Sequence, residues 1–306
     1  MIRIASQPAV GIPAGDGEQE EGESQDRSHG WGQDRPRLLS YVGRWGRARR
    51  WLPKDAYRVL DVGCAFGYGT VAIMGHGEAR RWVAGVERDP ENVRLAGRAY
   101  PWLPMVQADA TSLPFSNGTV DAVVILDVLE HLDDPAAVLA EVRRVLKRDG
   151  TLIVSVPHKG LLRAFDSNNL YTSLRRSCRG FLPLEPCEES FKGRHRHYSC
   201  AEAGELLGPG FSVNRLARTG IGFAELLHLL LLVVFKGLLR WRAAYMVLRH
   251  LYFAGSLLED LIPAGPFGYN LTLQARAVQR DGRFADQDLS ANSSMLCESR
   301  YEVSIP

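Results

Sequence analysis

VLDVGCAFGYGT, residues Val59 to Thr70, is the stretch that decides the fold. A short apolar run ends in the acidic residue Asp61, and a glycine-rich turn then leads into a segment of helical character. This order is typical of the first strand, ligand loop and first helix of a nucleotide-binding α/β domain. The glycines at Gly63 and Gly67 let backbone and ligand approach each other closely.

Composition sets the general class of the protein. The 306 residues include 45% hydrophobic and 24% charged side chains, which is enough to bury a sizeable core. A net charge of +2 gives no concentrated basic face, so no nucleic-acid partner is expected. The five cysteines suggest no disulfide framework, and no secretory leader is recognisable, so we expect a reducing, cytoplasmic compartment.

The two ends differ in composition from the centre. Residues 1–34 are rich in Gly, Ser and Glu, and residues 281–306 are polar and aperiodic, so both are predicted to be disordered tails. The remaining residues 35–280 are predicted to form one domain with two insertions, 159–200 and 221–262.

Four apolar segments follow the opening stretch and alternate with helical patterns: RRWVAGVE, WLPMVQAD, VDAVVILD and GTLIVSVP. With the opening strand they predict a parallel sheet whose carboxyl ends meet at one ligand-binding edge. The residues at or just after the ends of these four strands are Glu87, Asp109, Asp127 and His158. Each acid alone could be a helix cap or a solvated residue, but their joint placement favours a site.

Two of these acids have the places expected for nucleoside contacts. Glu87 lies about 20 residues beyond the glycine turn, where a carboxylate accepts from both hydroxyls of a ribose. Asp109, in QADATSLPF, could accept from the exocyclic amine of adenine, with Ala110 against the ring.

These motifs, with VDAVVILDVLEHLDDP and VLKRDGTLIVSVPH, resemble class I S-adenosylmethionine-dependent methyltransferases. The resemblance covers about residues 55 to 160 and is strongest to the ubiquinone and menaquinone biosynthesis branch. It implies a Rossmann-like seven-stranded sheet, mostly parallel with a final antiparallel hairpin, and S-adenosylmethionine as cofactor. It also implies that Asp61, Gly63, Ala65, Gly67 and Asp127 surround the methionine end, Glu87 the ribose, and Asp109 and Ala110 the adenine.

The glycine spacing separates this family from nicotinamide-dependent dehydrogenases. A GxGxxG turn requires glycine at position 65, where this chain has Ala65 and follows GxxxGxG instead. The methyltransferase family also commonly has glycine at this position, so Ala65 is a departure from its pattern. It leaves open a binding protein or membrane scaffold that keeps the fold without turnover.

A general base is needed only for some acceptors. If the acceptor is a hydroxyl or a carbon acid, His158 is the first candidate and His131, in LEHLDD, the second. Each could instead only line the pocket or pack beside its helix.

The segments around this core carry charge and apolar residues. Residues 36–52 predict an amphipathic helix that packs on the sheet and leaves a solvated basic face. Residues 159–200 are predicted to be a basic lid for an anionic acceptor, or a solvated loop. The Cys and His residues of this insertion match no common zinc spacing, so no metal is expected.

Residues 221–262 open with IGFAELLHLLLLVVFKGLL, nearly 19 apolar positions interrupted by Glu225, His228 and Lys236. A single membrane crossing is excluded if the last two strands pair as a hairpin, because the chain must return to the same side. We expect a helical hairpin on the inner membrane face, with Arg240, Arg242 and Arg249 near anionic headgroups. A soluble cap or a dimer interface is the rival. The expected function is methyl transfer to a small-molecule, lipid-like or lipid-linked acceptor by a peripheral membrane enzyme of undefined oligomeric state.

Overall fold

The computed structural model of the protein describes residues 43–75, 81–160, 166–177 and 196–278. The predicted tails 1–34 and 281–306 lie outside these residues, and so does most of the predicted lid between 159 and 200.

Seven strands form one sheet in the order β3-β2-β1-β4-β5-β7-β6. The strands are β1 (Arg58–Val62), β2 (Trp82–Glu87), β3 (Met105–Gln107), β4 (Val120–Leu126), β5 (Leu146–Pro157), β6 (Phe211–Thr219) and β7 (Asn270–Ala277). Strands β1 to β5 are parallel, and β7 runs antiparallel to both β5 and β6. The predicted Rossmann-like sheet with its final antiparallel hairpin is therefore confirmed.

Helices surround the sheet. They are α1 (Gly43–Trp51), α2 (Tyr68–Met74), α3 (Pro90–Ala99), α4 (Pro135–Val145), α5 (Ser167–Ser177), α6 (Cys200–Leu207), α7 (Phe223–Leu231) and α8 (Arg242–Glu259). A π-helical segment, Leu232–Leu238, continues α7. Within the described ranges, no helix combines the length and the apolar character needed to cross a membrane.

Both faces of the sheet are buried, which explains the near-continuous apolar runs of its strands. Leu60 and Val123 pack with α4 and α6 in one core cluster. Val59 and Ala122, their neighbours in sequence, pack in a second cluster with α1, α2 and part of α8. Side chains of a strand alternate between its faces, so each pair of neighbours supplies both cores.

The segment that contains α7 and α8 emerges at the edge of the sheet where the parallel strands end. Strand register pairs Asn270, the first residue of β7, with Pro157 at the end of β5 and with Thr219 at the end of β6. The chain leaves the sheet at Thr219 and re-enters it at Asn270. The helices between these residues, which we call the helical insertion (residues 220–269), therefore lie at the predicted ligand-binding edge.

Helix α1 corrects one prediction. Its packing on the sheet is as predicted, because Trp45 and Ala48 belong to the core. The solvated basic face is wrong for Arg47, which is only 8% exposed. Its guanidinium donates to the backbone oxygen of Asp260 at 2.6 Å and to Thr272 Oγ1 at 3.2 Å. Part of the basic face is therefore a buried link between α1, the helical insertion and β7.

Candidate functional site

A cavity of about 310 Å³ lies at this edge of the sheet. Its walls come from the loop after β1, the ends of β4 and β5, helices α1 and α2, and the helical insertion. Residues on the sheet side include Asp61, Gly63, Ala65, Tyr68, Asp127, Glu130 and His131. Residues on the opposite side include Arg44, Ala224, Glu225, Tyr252, Ser256, Glu259 and Tyr269.

The loop after β1 begins at a buried carboxylate. Asp61 accepts a hydrogen bond from Thr70 Oγ1 at 2.7 Å, and burial together with the nearby Glu87 raises its pKa to about 6. Gly63 follows with a φ of 78°. A Cβ atom at Gly63 would lie 2.3 Å from Val128 Cγ2. Only glycine satisfies both the backbone angle and the close approach of Val128, which follows β4.

Glu87 holds this loop to the end of β2. Its Oε2 accepts from the backbone N–H of Ala65 at 2.9 Å, and its Oε1 accepts from Arg88 and Asp89 N–H groups, each at 2.9 Å. Ala65 itself has a φ of 47°, which is the left-handed region that glycine adopts more readily. Oε2 keeps acceptor capacity beyond this one bond.

Asp109 and Ala110 follow the neighbouring strand β3. The Ala108 N–H donates to the backbone oxygen of Glu87 at 3.0 Å, which places the two predicted nucleoside residues at adjacent strand ends. Asp109 Oδ1 accepts from the N–H and Oγ1 of Thr111 at 2.9 and 2.7 Å, and these bonds lower its pKa. Gly67, Glu87, Asp109 and Ala110 do not belong to the wall of the cavity itself.

Asp127 faces the cavity from the end of β4. Its backbone has a φ of 57°, and its Oδ2 lies 2.6 Å from Nε of Arg44 on α1. Burial opposes the charge on Arg44, yet Asp127 and Asp260 together raise the pKa of the guanidinium above its usual value. Sequence reasoning missed Arg44, whose only signal was its place in a basic helix before the first strand.

The two candidate histidines lie in different surroundings. His131 is on the cavity wall. His158 is buried beside β7, where its Nδ1 bonds to the backbone oxygen of Gly268 at 2.7 Å and its Nε2 lies 3.8 Å from Cys200 Sγ. Burial lowers the pKa of His158. His158 is not among the residues of the cavity wall.

The helical insertion supplies the wall opposite the glycine loop. Sequence reasoning assigned this segment to the membrane and missed its part in the cavity, although Glu225 and His228 already interrupt its apolar pattern. Ser199 caps the start of α6 in a capping box with Glu202. In the described part of the chain, no cluster of three or more His, Cys, Asp or Glu residues could hold a metal ion. Cys178, Cys187 and His195 lie outside the described residues.

Comparisons with known proteins match the same region. Residues 60–154 match the family described as "Methyltransferase domain". A Mycobacterium tuberculosis H37Rv protein named "Probable S-adenosylmethionine-dependent methyltransferase" is 38% identical over 112 residues, or 36% of this chain and 40% of the relative. Demethylmenaquinone methyltransferase of Streptomyces avermitilis is 32% identical over 101 residues, or 33% of this chain and 42% of the relative.

A solved structure has the same fold. It is a SAM-dependent methyltransferase from Thermotoga maritima, with a TM-score of 0.50 and 17% identity, and the match covers 78% of this chain and 92% of that chain. The chain spans only about two fifths of the length of the curated relatives it matches. These comparisons support the resemblance seen in the motifs, because residues 60–154 match a methyltransferase domain and a similar protein bears the name of an S-adenosylmethionine-dependent methyltransferase.

Proposed function

We propose that this protein transfers a methyl group from S-adenosylmethionine to a lipid-like or lipid-linked acceptor at the inner surface of a membrane. The observation that carries the proposal is the concentration of exposed apolar side chains on the helical insertion, which also forms one wall of the cavity.

The residues of the glycine loop fit S-adenosylmethionine. Asp61 and Asp127 offer carboxylates to a ligand that carries a positive sulfonium and an ammonium group, and Gly63 keeps the loop free of a side chain. Glu87 retains acceptor capacity for ribose hydroxyls, and Asp109 follows the adjacent strand. When bound, the cofactor supplies an electrophilic methyl group, while these residues orient it and keep water away.

The exposed apolar surface is unusually concentrated. Apart from Tyr57, Trp102 and Leu174, every exposed large apolar side chain of the described residues lies between 221 and 267. We call this set the apolar face: Ile221, Phe223, Leu226, Leu230, Leu238, Leu239, Trp241, Val247, Leu251, Leu258, Leu261, Ile262 and Phe267. Exposed apolar side chains that are concentrated in one segment of the chain favour a contact with a membrane or a protein.

The spacing within the two helices favours one outward stripe on each. Phe223, Leu226 and Leu230 recur on one side of α7, and Val247 and Leu251 recur one turn apart on α8. Val247 is 69% exposed, the largest value among the exposed large apolar residues. Helices with this pattern lie in the plane of a membrane interface.

Charge supports a membrane over a protein partner. Arg240 is exposed in the turn between the two helical segments, and Lys236 and Arg249 belong to the same insertion. Basic residues beside an apolar surface favour anionic headgroups.

The name of the Streptomyces avermitilis relative gives demethylmenaquinone as its acceptor. A prenylated quinone precursor or a glycolipid is therefore the acceptor class to test first.

Liposome flotation tests the membrane half of the proposal. Full-length protein should float with anionic vesicles and less well with zwitterionic vesicles. The double variant Val247→Glu/Leu251→Glu should stay unbound, whereas Trp102→Glu, an exposed apolar residue outside the apolar face, should float like wild type. Folded wild-type protein that stays unbound to anionic vesicles, or that dimerises through this face, would remove the membrane assignment.

Two further measurements test the transfer half. Calorimetric titration should show S-adenosylmethionine binding, and Glu87→Ala should weaken that binding. Labelled-methyl transfer into the total lipid extract of the source cells should then give a labelled lipid. Binding without transfer to any fraction would indicate a cofactor-binding protein or scaffold instead of an enzyme.

A further inference from the structure

A buried polar network lies behind the wall that the helical insertion contributes to the cavity. Glu225, in the first turn of α7, accepts from Ser167 Oγ at 2.6 Å and from Tyr252 Oη at 3.1 Å. Ser167 Oγ also bonds His228 Nδ1 at 2.9 Å, and His228 Nε2 lies 3.2 Å from Tyr245 Oη. The network therefore leads from a carboxylate at the cavity to an imidazole and a phenol on the insertion.

The neighbours of Glu225 differ from those of Asp127 and Glu259, two other carboxylates of the cavity wall. Asp127 is paired with the guanidinium of Arg44. Glu259 accepts from the N–H groups of Gly222 and Ala224 at 3.1 and 2.8 Å, so it holds the start of α7. Glu225 instead accepts from the two hydroxyl groups and, at 3.3 Å, from the Ser167 N–H. None of these donors carries a positive charge that would hold the carboxylate ionised.

Several titratable groups face Glu225 from the elements packed around it. Tyr252 belongs to α8 and His228 belongs to α7. Tyr269 immediately precedes β7, and Asp166 immediately precedes α5. Asp166 is buried, accepts from Tyr269 Oη at 3.2 Å and lies 3.4 Å from His197 Nε2. Burial raises the pKa of Glu225, and the negative Asp166 raises it further, while the Ser167 and Tyr252 hydrogen bonds lower it. The net shift is upward, so Glu225 binds a proton more readily than an ordinary glutamate does.

We propose that Glu225 is the catalytic base of the methyl transfer, so that the acceptor presents a proton-bearing oxygen or nitrogen to this wall of the cavity. The inference rests on the proposed function. As the acceptor atom bonds to the methyl carbon, the carbon–sulfur bond breaks and its electron pair stays on sulfur. The proton of the acceptor atom passes to the Glu225 carboxylate. Ser167 and His228 are positioning residues, because they fix the carboxylate and connect it to Tyr245.

This assignment replaces the histidines as first candidates. His158 is held by Gly268 and lies away from the cavity wall, whereas Glu225 is on it. His131 is also on the wall, so it is the rival that the variants must separate.

The first test compares Glu225→Gln with His131→Gln. Glu225→Gln should bind S-adenosylmethionine within about threefold of wild type and lose about 100-fold or more of the labelled-methyl transfer. The wild-type rate should rise with pH to a plateau, and this rise should vanish in Glu225→Gln. If Glu225→Gln keeps the wild-type rate and pH profile while His131→Gln loses both, the base is His131 and the proposal is wrong.

The second test does not depend on activity. Carboxyl ¹³C NMR of protein labelled at glutamate should show, besides Glu259, whose pKa burial also raises, one group that titrates above the ordinary glutamate range and below the pH of the transfer assay. That signal should disappear in Glu225→Gln and move to higher pH in Ser167→Ala, which loses a hydrogen bond to the ionised form. Ser167→Ala identifies the signal even if Glu225→Gln fails to fold. Titration of Glu225 in the ordinary range would overturn the proposal.

The two tests distinguish a failure of the proposed function from a failure of the assignment of Glu225 as the base. Wild-type protein that binds S-adenosylmethionine but labels no lipid contradicts the proposed function. In that case the NMR titration still decides whether Glu225 has the proton affinity that the base requires.

Discussion

Replacing Asp61 by asparagine should change how the stability of the protein depends on pH. Asp61 is buried, and its pKa rises from the ordinary 3.8 to about 6 in the folded protein. Between these two values the folded protein holds a proton that the unfolded chain has released. The free energy of unfolding therefore falls as the pH rises through this range. This rise of about 2 in the pKa of Asp61 corresponds to a loss of about 3 kcal/mol in the free energy of unfolding, at about 1.36 kcal/mol for each pH unit.

Asparagine has nearly the same shape and can still accept from Thr70 Oγ1, but it carries no charge at any pH. The wild-type protein should therefore lose about 3 kcal/mol relative to Asp61→Asn between pH 4 and pH 8. Urea unfolding followed by circular dichroism, without cofactor, measures this difference at each pH. The comparison with the variant removes the contributions of all other titrating groups that the two proteins share.

Asp109→Asn provides the matched control. Its hydrogen bonds to Thr111 lower the pKa of Asp109, so its contribution is present at neutral pH and is lost as the pH falls. The change of stability with pH therefore has the opposite sign to that expected for Asp61. It should be small because Asp109 is exposed. A wild-type minus Asp61→Asn difference that stays constant from pH 4 to pH 8 would refute the account of Asp61. The retention of a destabilising carboxylate would be explained by ligand binding, so Asp61→Asn should also weaken S-adenosylmethionine binding at least about tenfold.

Three further variants test separate parts of the structure. Arg47→Met should destabilise the protein by about 2 to 4 kcal/mol in urea unfolding, because it leaves buried acceptors unpaired, whereas the exposed Arg50→Met should change stability by less than about 0.5 kcal/mol. Ala65→Gly should stabilise the folded protein by about 1 to 2 kcal/mol, because it relieves left-handed backbone strain. About 0.4 to 1 kcal/mol of this gain should be lost, because glycine increases the conformational entropy of the unfolded chain. A net loss of stability in urea unfolding would mean that the methyl group of Ala65 packs favourably. Burial lowers the pKa of His158, so wild type should lose stability relative to His158→Gln as the pH falls below neutral. A difference between the urea midpoints of the two proteins that is the same at pH 5 and at pH 8 would contradict this.

The sheet could be predicted because its signals are local in sequence. Each parallel strand is buried on both faces and reads as an apolar run, and each run is followed by the residue that faces the ligand edge. Glu87 and Asp109 lie at adjacent strand ends for that reason. The capping box at Ser199 and Glu202 has a similarly local signal, because it depends on residues only three positions apart.

The missed features join residues that are far apart in the chain. Nothing near Arg44 in sequence indicates that it pairs with Asp127, because the contact exists only after α1 packs across the end of β4. Arg47 likewise appeared to belong to a solvated face until the helical insertion and β7 covered it. A helical pattern shows which residues share a side, but only tertiary packing shows what covers that side.

The helical insertion shows how one segment can serve two purposes that its apolar composition hides. Its outward residues, such as Val247 and Leu251, form the apolar face, while Glu225 and Tyr252 turn toward the cavity. Glu259 on α8 accepts from the backbone at the start of α7, so the position of Glu225 depends on how the two helices pack. A helix with the same apolar face that packed differently on its partner would still expose that face, yet it would not place a carboxylate on the cavity wall opposite the glycine loop. We therefore expect the polar residues that interrupt the apolar sequence to connect the proposed membrane contact with the cavity.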